Sequence, residues 1–478
     1  MTRGEMLARA AALFRHGDTA AAIPAYERLL HSHPDLPDSW FNLGILYRRC
    51  GRFDDAMAAY DQALAQRVRD PHEVLVQQAV ILSEDLARPA DARRLLERAT
   101  AQAPGYLAAW LNLGNLAEEL GDVDAARKAY ARARAIDPRD GLALARLLGV
   151  AGAPAGLIDD ARRFLSQTGD VQARADVGFA LGGALDKVGD YDGAFDAYVE
   201  ANGQSRAFAR QQGVRYDRAA LEAYVERSIA AFDRFDGEPA SGVAPVFVCG
   251  MFRSGSTLVE HLLARHPAVV AGGEIDALPR LASALFANDP ARVAAANDDL
   301  IARARASYGA AVAPRRAAGR RLIDKRPDNV LHLGLAQRLF PGATIVNTVR
   351  HPADVCLSVY FLHAGAGVPY ATDLGDTAHY WRQQRRLMRH WRAIGMPVHT
   401  VDYDRLVETP KPVLAALSAA CDLPAMDLLA LPPATHAVRT ASVAQVRRPL
   451  YRESSGRWRH YARRIEPVLG ALIEEERE

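Results

Sequence analysis

Residues 246–265 read VFVCGMFRSGSTLVEHLLAR and combine an apolar run, a glycine-rich turn and a helical stretch. The run Val246–Cys249 is short and continuously apolar, which is typical of a buried strand in a parallel sheet. The turn Gly250–Thr257 has the spacing of the phosphate-binding loop GxxxxGK[ST], except that Ser256 stands at the lysine position. The stretch Leu258–Arg265 then has helical spacing. We therefore predict a strand, an anion-binding loop and a helix.

This loop can bind an anion without its lysine. The backbone amides of residues 253–257 and the positive end of the helix dipole depend on backbone geometry alone. The missing lysine would contact the terminal phosphates of a nucleoside triphosphate with its magnesium. Arg253 supplies a cation at a different position. Without the lysine, the loop makes a weaker case for a nucleotide bound with its metal ion, and we predict no metal.

The chain continues with the same alternation of strands and helices. Further apolar runs precede polar turns or helices at Arg321–Asp324, Thr344–Val349 and Val398–Val401. This alternation predicts an α/β P-loop-like domain with a largely parallel sheet over residues 243–478. A connector over residues 203–242 is predicted to contain a helix at Leu221–Phe232.

The first 202 residues contain an internal repeat. Gly17 and Tyr26 recur 34 positions later as Gly51 and Tyr60, a period typical of tetratricopeptide units. The fuller pattern includes Trp40, Leu43, Gly44 and Tyr47 in one copy, and Trp110, Leu113, Gly114 and Tyr130 two copies later. We predict an all-α repeat array over residues 1–202, degenerate at residues 75–104 and weakest at 141–170. Such arrays commonly present a concave groove to peptides or partner helices.

Composition narrows the class of protein. The chain has 478 residues with 49% hydrophobic and 24% charged residues, a profile of folded multidomain proteins. Its four cysteines are far apart, so neither a disulfide framework nor a zinc site is indicated. The sequence has no apolar run of membrane-spanning length and no signal-peptide pattern. We expect a cytoplasmic protein whose partners include neither nucleic acid nor a membrane.

The loop around residues 253–257 resembles the 5′-phosphosulfate loop of sulfotransferases, and the likeness continues through His266–Pro267 to Gly272–Glu274. Among these enzymes it is most similar to tyrosylprotein sulfotransferases and to bacterial proteins that join tetratricopeptide repeats to this domain. The resemblance implies that the loop residues contact the nucleotide's 5′-phosphosulfate. These residues are Arg253, Ser254, Gly255, Ser256 and Thr257.

A second segment, Val349–Ser358, is similar to that family's 3′-phosphate motif. An arginine at the end of a strand and a hydroxyl on the next helix can both point at one anion, and here these are Arg350 and Ser358. Two phosphate sites of different chemistry imply a bisphosphorylated nucleotide. The resemblance supplies 3′-phosphoadenosine 5′-phosphosulfate as the cosubstrate, with Tyr403 and Arg457 as further phosphate contacts.

The resemblance also implies catalytic residues. Glu274 matches the base that takes the proton from the acceptor hydroxyl. Lys325 matches a lysine near the bridging oxygen of the leaving group, where charge develops only in the transition state. Ser442, in a loop similar to the family's closing loop, would assist at the sulfuryl group. Two positions depart from the tyrosylprotein enzymes, because Gly273 replaces an acidic residue and Asp276 replaces an arginine that engages the substrate.

Other functions stay open at this point. One alternative is a repeat scaffold whose second domain binds a nucleotide without catalysis. Another is a P-loop phosphoryl transferase, which would want a lysine at position 256 and an acidic metal ligand such as Asp324. The acceptor is also open: the repeats suggest a protein or peptide, with tyrosine a candidate, whereas polysaccharides, lipids and small phenols leave no readable mark.

Overall fold

The structure is a computed structural model that describes residues 1–86, 88–150, 156–235, 244–315, 317, 319–432 and 454–475. The chain forms two compact units, Met1–Phe164 and Leu165–Glu478. In the part of the chain that the structure describes, no helix is both long and apolar enough to cross a membrane.

The first unit is a series of antiparallel helix pairs. Its helices are α1 (Arg3–Arg15), α2 (Thr19–Ser32), α3 (Pro37–Arg49), α4 (Phe53–Ala65), α5 (Pro71–Val80) with a π-helical extension (Ile81–Asp85), α6 (Pro89–Gln102), α7 (Leu107–Leu120), α8 (Val123–Ile136) and α9 (Gly141–Gly149). Helix α10 (Leu157–Gln167) begins in this unit and ends just inside the second.

Glycine and tyrosine pack together between the helices of two pairs in this unit, as the repeat predicts. A Cβ at Gly44 would lie 2.5 Å from Tyr60 Cε1, so only glycine lets the buried Tyr60 ring approach the α3 backbone. Gly114 and Tyr130 repeat this packing between α7 and α8. The prediction of a tetratricopeptide array in the N-terminal half is confirmed.

The second unit begins with helices. They are α11 (Val171–Lys187), α12 (Tyr191–Gln211) and α13 (Arg218–Ala231), the last of which matches the predicted connector helix. The pair α11 and α12 has the repeat packing, because a Cβ at Gly182 would lie 2.8 Å from Tyr198 Cε1. This pair, which the sequence groups with the repeats, therefore lies in the same compact unit as the sheet.

A parallel five-stranded sheet forms the centre of the second unit. Its strands are β1 (Val246–Gly250), β2 (Val269–Ala271), β3 (Arg321–Lys325), β4 (Ile345–Val349) and β5 (Val398–Asp402), in the order β2-β3-β1-β4-β5. Alternate residues of β1 face different cores: Phe247 packs in one apolar cluster and Val248 in the other. Burial on both faces explains the continuous apolar runs. Strand β2 was missed because it is only three residues long.

Helices cover the sheet and fill its connections. They are α14 (Ser256–Leu263), α15 (Ala277–Phe286), α16 (Pro290–Ala294), α17 (Asp298–Val312), α18 (Leu333–Leu339), α19 (Pro352–Tyr360), α20 (Leu374–Ala393), α21 (Tyr403–Glu408), α22 (Pro410–Ala420) and α23 (Ala462–Glu475). Short 3-10 segments lie at Ala313–Arg315, Pro327–His332, Gly365–Gly367, Pro369–Thr372 and Arg457–Tyr461. The predicted α/β architecture is confirmed. The carboxyl ends of β1, β3, β4 and β5 share one edge, where ligands bind in such sheets.

Candidate active site

The loop between β1 and α14 is shaped by backbone that only glycine adopts easily. Gly250 has φ +145° and Gly255 has φ +102°. A Cβ at Gly255 would lie 2.6 Å from Tyr403 Cδ2, and a Cβ at Gly250 would lie 2.5 Å from Thr348 Oγ1. Glycine is therefore required at both ends of the loop, for conformation and for space.

Ser254 anchors the loop to the sheet. Its hydroxyl donates to Met251 O at 2.6 Å and lies 2.6 Å from Thr348 Oγ1. The hydroxyl of Thr348 donates in turn to Cys249 O at 3.1 Å. Ser254 and Thr348 are both buried. Sequence reasoning missed Thr348, whose signal was its position one residue before the end of a strand.

The two predicted phosphate motifs meet. Arg253 Nε, on the β1–α14 loop, donates to Ser358 Oγ on α19 at 3.0 Å. Arg350, which follows β4, donates from Nη1 to Arg253 O at 3.4 Å and from Nη2 to Ser454 O. The Arg350 guanidinium carbon also lies 4.9 Å from the centre of the Tyr403 ring. Residues that are distant in sequence therefore converge at the carboxyl edge of β1 and β4.

A small cavity opens at this point. It is lined by Arg350, Asp354, Leu357, Ser358, Ser454 and Arg457. Arg350 Nε is buried and has no hydrogen-bond acceptor among the residues that the structure describes. Two guanidinium groups and a serine hydroxyl facing one cavity fit a phosphate, because an arginine offers paired N–H donors to its oxygens.

Asp354 binds the segment of residues 454–461, which adjoins the cavity. Its carboxylate is buried and accepts the backbone N–H of Gly456 at 2.7 Å and of Trp458 at 2.8 Å. The Trp458 ring stacks on His351, with ring centroids 5.0 Å apart and planes 5° from parallel. These contacts fix the segment that carries Arg457. Sequence reasoning missed Asp354, although it was the one carboxylate inside the Val349–Ser358 motif.

The predicted base and the predicted cation form an ion pair. Lys325 is the last residue of β3, and its side chain is 0% exposed. Its Nζ lies 2.7 Å from Glu274 Oε1, while the Glu274 side chain is 28% exposed. The backbone N–H of Lys325 also donates to Gly273 O at 3.1 Å. The structure brings these two residues together with the more exposed carboxylate facing solvent.

Glu260 supports the turn before Glu274. It lies on α14, is buried, and accepts the backbone N–H of Gly273 at 2.8 Å through Oε1. Burial raises the pKa of Glu260 to about 7, and the charge of Lys325 opposes the rise. Sequence reasoning missed Glu260, and its signal was a lone acidic residue between apolar residues of one helix.

Asp324, the acidic residue named for the phosphoryl-transfer alternative, is hydrogen-bonded within the protein. It is buried next to the site, where Oδ2 accepts from the Tyr308 hydroxyl at 2.6 Å and Oδ1 from Asn329 Nδ2 at 3.0 Å. Burial raises the pKa of Asp324 to about 7, and these two hydrogen bonds oppose the rise. Both of its carboxylate oxygens therefore accept a hydrogen bond from the protein.

The remaining predicted site residues lie as follows. Ser256 and Thr257 begin α14 and are buried. Tyr403 begins α21 beneath Arg350 and Gly255. Arg457 reaches the cavity but also pairs with Asp186 of α11. Ser442 lies outside the residues that the structure describes.

Comparison with known proteins matches different families in the two parts of the chain. Residues 245–427 match the sulfotransferase family, and residues 7–71 and 85–150 match tetratricopeptide repeat families. An uncharacterized protein of Aquifex aeolicus (strain VF5) is 28% identical over 405 residues, which are 80% of this chain and 52% of that protein. The chain therefore spans about half the length of the curated relative it matches.

Two solved structures are each similar to part of this chain. The sulfotransferase domain from the Synechococcus PCC 7002 olefin synthase is 22% identical, with a TM-score of 0.34, and the match covers 47% of this chain and 91% of that one. PilW, a type IV pilus biogenesis factor, is 20% identical, with a TM-score of 0.34, and covers 42% of this chain and 92% of its own. From the family matches and the fold, the chain carries tetratricopeptide repeats followed by a sulfotransferase-family domain.

Proposed function

We propose that the chain is a sulfotransferase that moves a sulfuryl group from 3′-phosphoadenosine 5′-phosphosulfate to an acceptor hydroxyl. The observation that carries this proposal is the contact of Arg253 with Ser358 beside Arg350, because it joins the 5′-phosphosulfate loop to the 3′-phosphate motif. A nucleotide that carries one phosphate at the 3′ position and another at the 5′ position of its ribose matches two adjoining anion sites of this kind.

Different residues would bind the two ends of the nucleotide. The backbone amides at the start of α14 would hold the 5′-phosphosulfate, since a helix N-terminus favours negative charge. Arg350, Ser358 and Arg457 would hold the 3′-phosphate at the cavity that they line. Tyr403 would support both, because it packs beneath Gly255 and under the guanidinium of Arg350.

The chemistry follows from the Glu274 and Lys325 pair. Glu274 takes the proton of the acceptor hydroxyl while that oxygen bonds to sulfur and the bond from sulfur to the phosphate oxygen breaks. The electron pair of the broken bond stays on the leaving phosphate, where Lys325 stabilises the charge that develops. The transfer is in line, without a covalent enzyme intermediate. Ser442 is assigned to the sulfuryl group on the resemblance alone.

We further propose a protein or peptide as the acceptor, with tyrosine as the candidate side chain. The tetratricopeptide repeats support a peptide-like acceptor, because arrays of this class commonly bind extended peptides or helices. Asp276 counts mildly against an acidic peptide, since it lies two residues after Glu274 where the tyrosylprotein enzymes have an arginine.

The first test is calorimetric titration with 3′-phosphoadenosine 5′-phosphate, with ATP and magnesium in parallel. We expect binding at micromolar concentration or tighter for the bisphosphate and much weaker binding for ATP. Clear binding of ATP without binding of the bisphosphate would overturn the proposal and favour phosphoryl transfer. Binding of the bisphosphate, with no transfer from the sulfated donor to any protein, peptide or phenol acceptor, would favour the non-catalytic scaffold.

A further inference from the structure

Arg457 is held by the helix pair α11 and α12. Its Nη2 lies 2.8 Å from Asp186 Oδ2, and its Nε donates to Asp186 Oδ1 at 3.3 Å. Asp186 lies in the last turn of α11, and its side chain is 17% exposed. The Tyr461 hydroxyl donates to the same carboxylate. The carboxylate therefore binds one edge of the guanidinium in a two-point contact.

The second helix of the pair completes the enclosure. Burial raises the pKa of the Tyr198 hydroxyl, on α12, and the nearby positive charge of Arg457 opposes the rise. The Tyr198 ring stacks on Phe361, with centroids 4.0 Å apart and planes 12° from parallel. The Arg457 guanidinium carbon lies 5.4 Å from the centre of the Phe361 ring. Residues from both helices thus restrict the arginine.

The helix pair is firmly attached to the sheet-containing part of the same unit. Asn202 of α12 is fully buried and donates from Nδ2 to Tyr360 O, at the end of α19, at 2.8 Å. Arg206 pairs with Asp373 at 2.8 Å. Because α19 also carries Ser358, the same contacts fix the helix pair against the proposed 3′-phosphate site.

The two-point contact decides which part of Arg457 faces the cavity. A guanidinium has five N–H donors, and the Asp186 contact uses two of them, on Nε and Nη2. The remaining N–H groups can serve an anion in the cavity that Arg457 lines with Arg350 and Ser358. Without Asp186, the long side chain would regain its rotamer freedom and would lose it again on binding.

We propose that Asp186, on a helix with repeat-type packing, is a positioning residue for the nucleotide 3′-phosphate. The last repeat-like helix pair is then part of the donor site. This inference rests on the proposed function, because it takes the cavity to be the 3′-phosphate site. It extends that function by making recognition of the 3′-phosphate depend on a residue outside the sulfotransferase-family match.

The test compares two nucleotides in the full-length protein. Dissociation constants are measured for 3′-phosphoadenosine 5′-phosphate and for adenosine 5′-phosphate, which lacks the 3′-phosphate, by competition where binding is weak. The dissociation constant of adenosine 5′-phosphate divided by that of the bisphosphate gives a ratio that reports on the 3′-phosphate alone. We expect Asp186→Ala to reduce this ratio about tenfold, because in the variant the charged hydrogen bond from Arg457 to the 3′-phosphate is poorly oriented. Asp186→Glu should restore most of it.

Asp196→Ala is the matched control. Asp196 lies on α12 and pairs with Arg464 of α23, so the variant removes an ion pair between the same helix pair and α23 without touching Arg457. We expect its ratio to equal that of the wild type. If Asp186→Ala fails to fold, Asp186→Asn keeps the shape of the side chain and should reduce the ratio by a smaller factor.

Several results would overturn the inference. An unchanged ratio in Asp186→Ala, or equal weakening of both nucleotides, would show that Asp186 only stabilises the fold. A larger ratio would show that the carboxylate competes with the phosphate. Failure of the wild-type protein to bind the bisphosphate would instead overturn the proposed function itself, and this inference with it.

Discussion

The ammonium group of Lys325 lies 2.7 Å from the carboxylate of Glu274, at the point where β3 ends. A fully buried lysine is costly unless an opposite charge accompanies it. In the structure, the charge of each residue therefore neutralises that of the other. In the proposed mechanism, Glu274 acts on the acceptor and Lys325 on the leaving phosphate. The Gly273–Glu274 turn is also bound to the last residue of the strand, because the backbone N–H of Lys325 donates to Gly273 O.

Replacing the base should separate catalysis from binding. Glu274→Gln should lower the rate of sulfuryl transfer to a phenol acceptor by about 10²- to 10⁴-fold, because proton removal from the hydroxyl is lost. The dissociation constant of 3′-phosphoadenosine 5′-phosphate should change less than about threefold. The matched control is Asp299→Asn, on the exposed start of α17. A full transfer rate in Glu274→Gln would remove this residue from the proposed mechanism.

Replacing the arginine after β4 should act on binding. Arg350→Ala should weaken 3′-phosphoadenosine 5′-phosphate by about 10- to 100-fold, the range for a lost charged hydrogen bond at a phosphate. Adenosine 5′-phosphate should be affected much less. The control is Arg389→Ala, an exposed arginine on α20, which should bind as the wild type does. Equal weakening of both nucleotides by Arg350→Ala would contradict the assignment.

The loop glycine should not tolerate a side chain. Gly255→Ala combines φ +102° with a Cβ only 2.6 Å from Tyr403 Cδ2, so the loop must shift and bisphosphate binding should be lost. Gly309→Ala lies in α17 with open space around its Cβ and should raise stability by about 0.5–1 kcal/mol. Calorimetric titration and thermal unfolding of both variants check this pair. Normal nucleotide affinity in Gly255→Ala would contradict the loop geometry.

Stability should depend on pH through buried carboxyl groups. Because burial raises the pKa of Glu260 to about 7 from 4.5, the folded state binds more protons than the unfolded state between these values. The free energy of unfolding therefore falls as pH rises from about 4.5 to 7 and levels off above 7. The contribution of Glu260 that is lost over this range is about 3 kcal/mol.

Glu260→Gln tests this dependence. Glutamine can still accept the Gly273 N–H but does not titrate, so the variant should lose less stability than the wild type between pH 5 and pH 8. Part of the dependence should remain, since burial also raises the pKa of Asp324 to about 7. Thermal midpoints at the two pH values, at equal ionic strength, give the comparison. Equal pH dependence in variant and wild type would show that Glu260 is ionised throughout.

Local patterns predicted the loop and most strands. The run before Gly250 and the spacing to Thr257 are properties of neighbouring residues, so they specify strand, turn and helix without knowledge of the fold. Strand β2 was missed because three residues carry too little pattern, and its pairing with β3 makes it a strand. Ser442 stays a prediction, since it lies outside the described residues.

The sequence by itself determined the repeat array, the α/β pattern and the glycine-rich loop, because periodicity and short-range spacing are local properties of the chain. Only the tertiary structure decided which side chains share a site. Arg457 meets Asp186 across 271 positions, and Lys325 meets Glu274 across 51. Such pairs have no local signature, since they exist only where parallel strands and packed helices bring distant segments to one edge of the sheet.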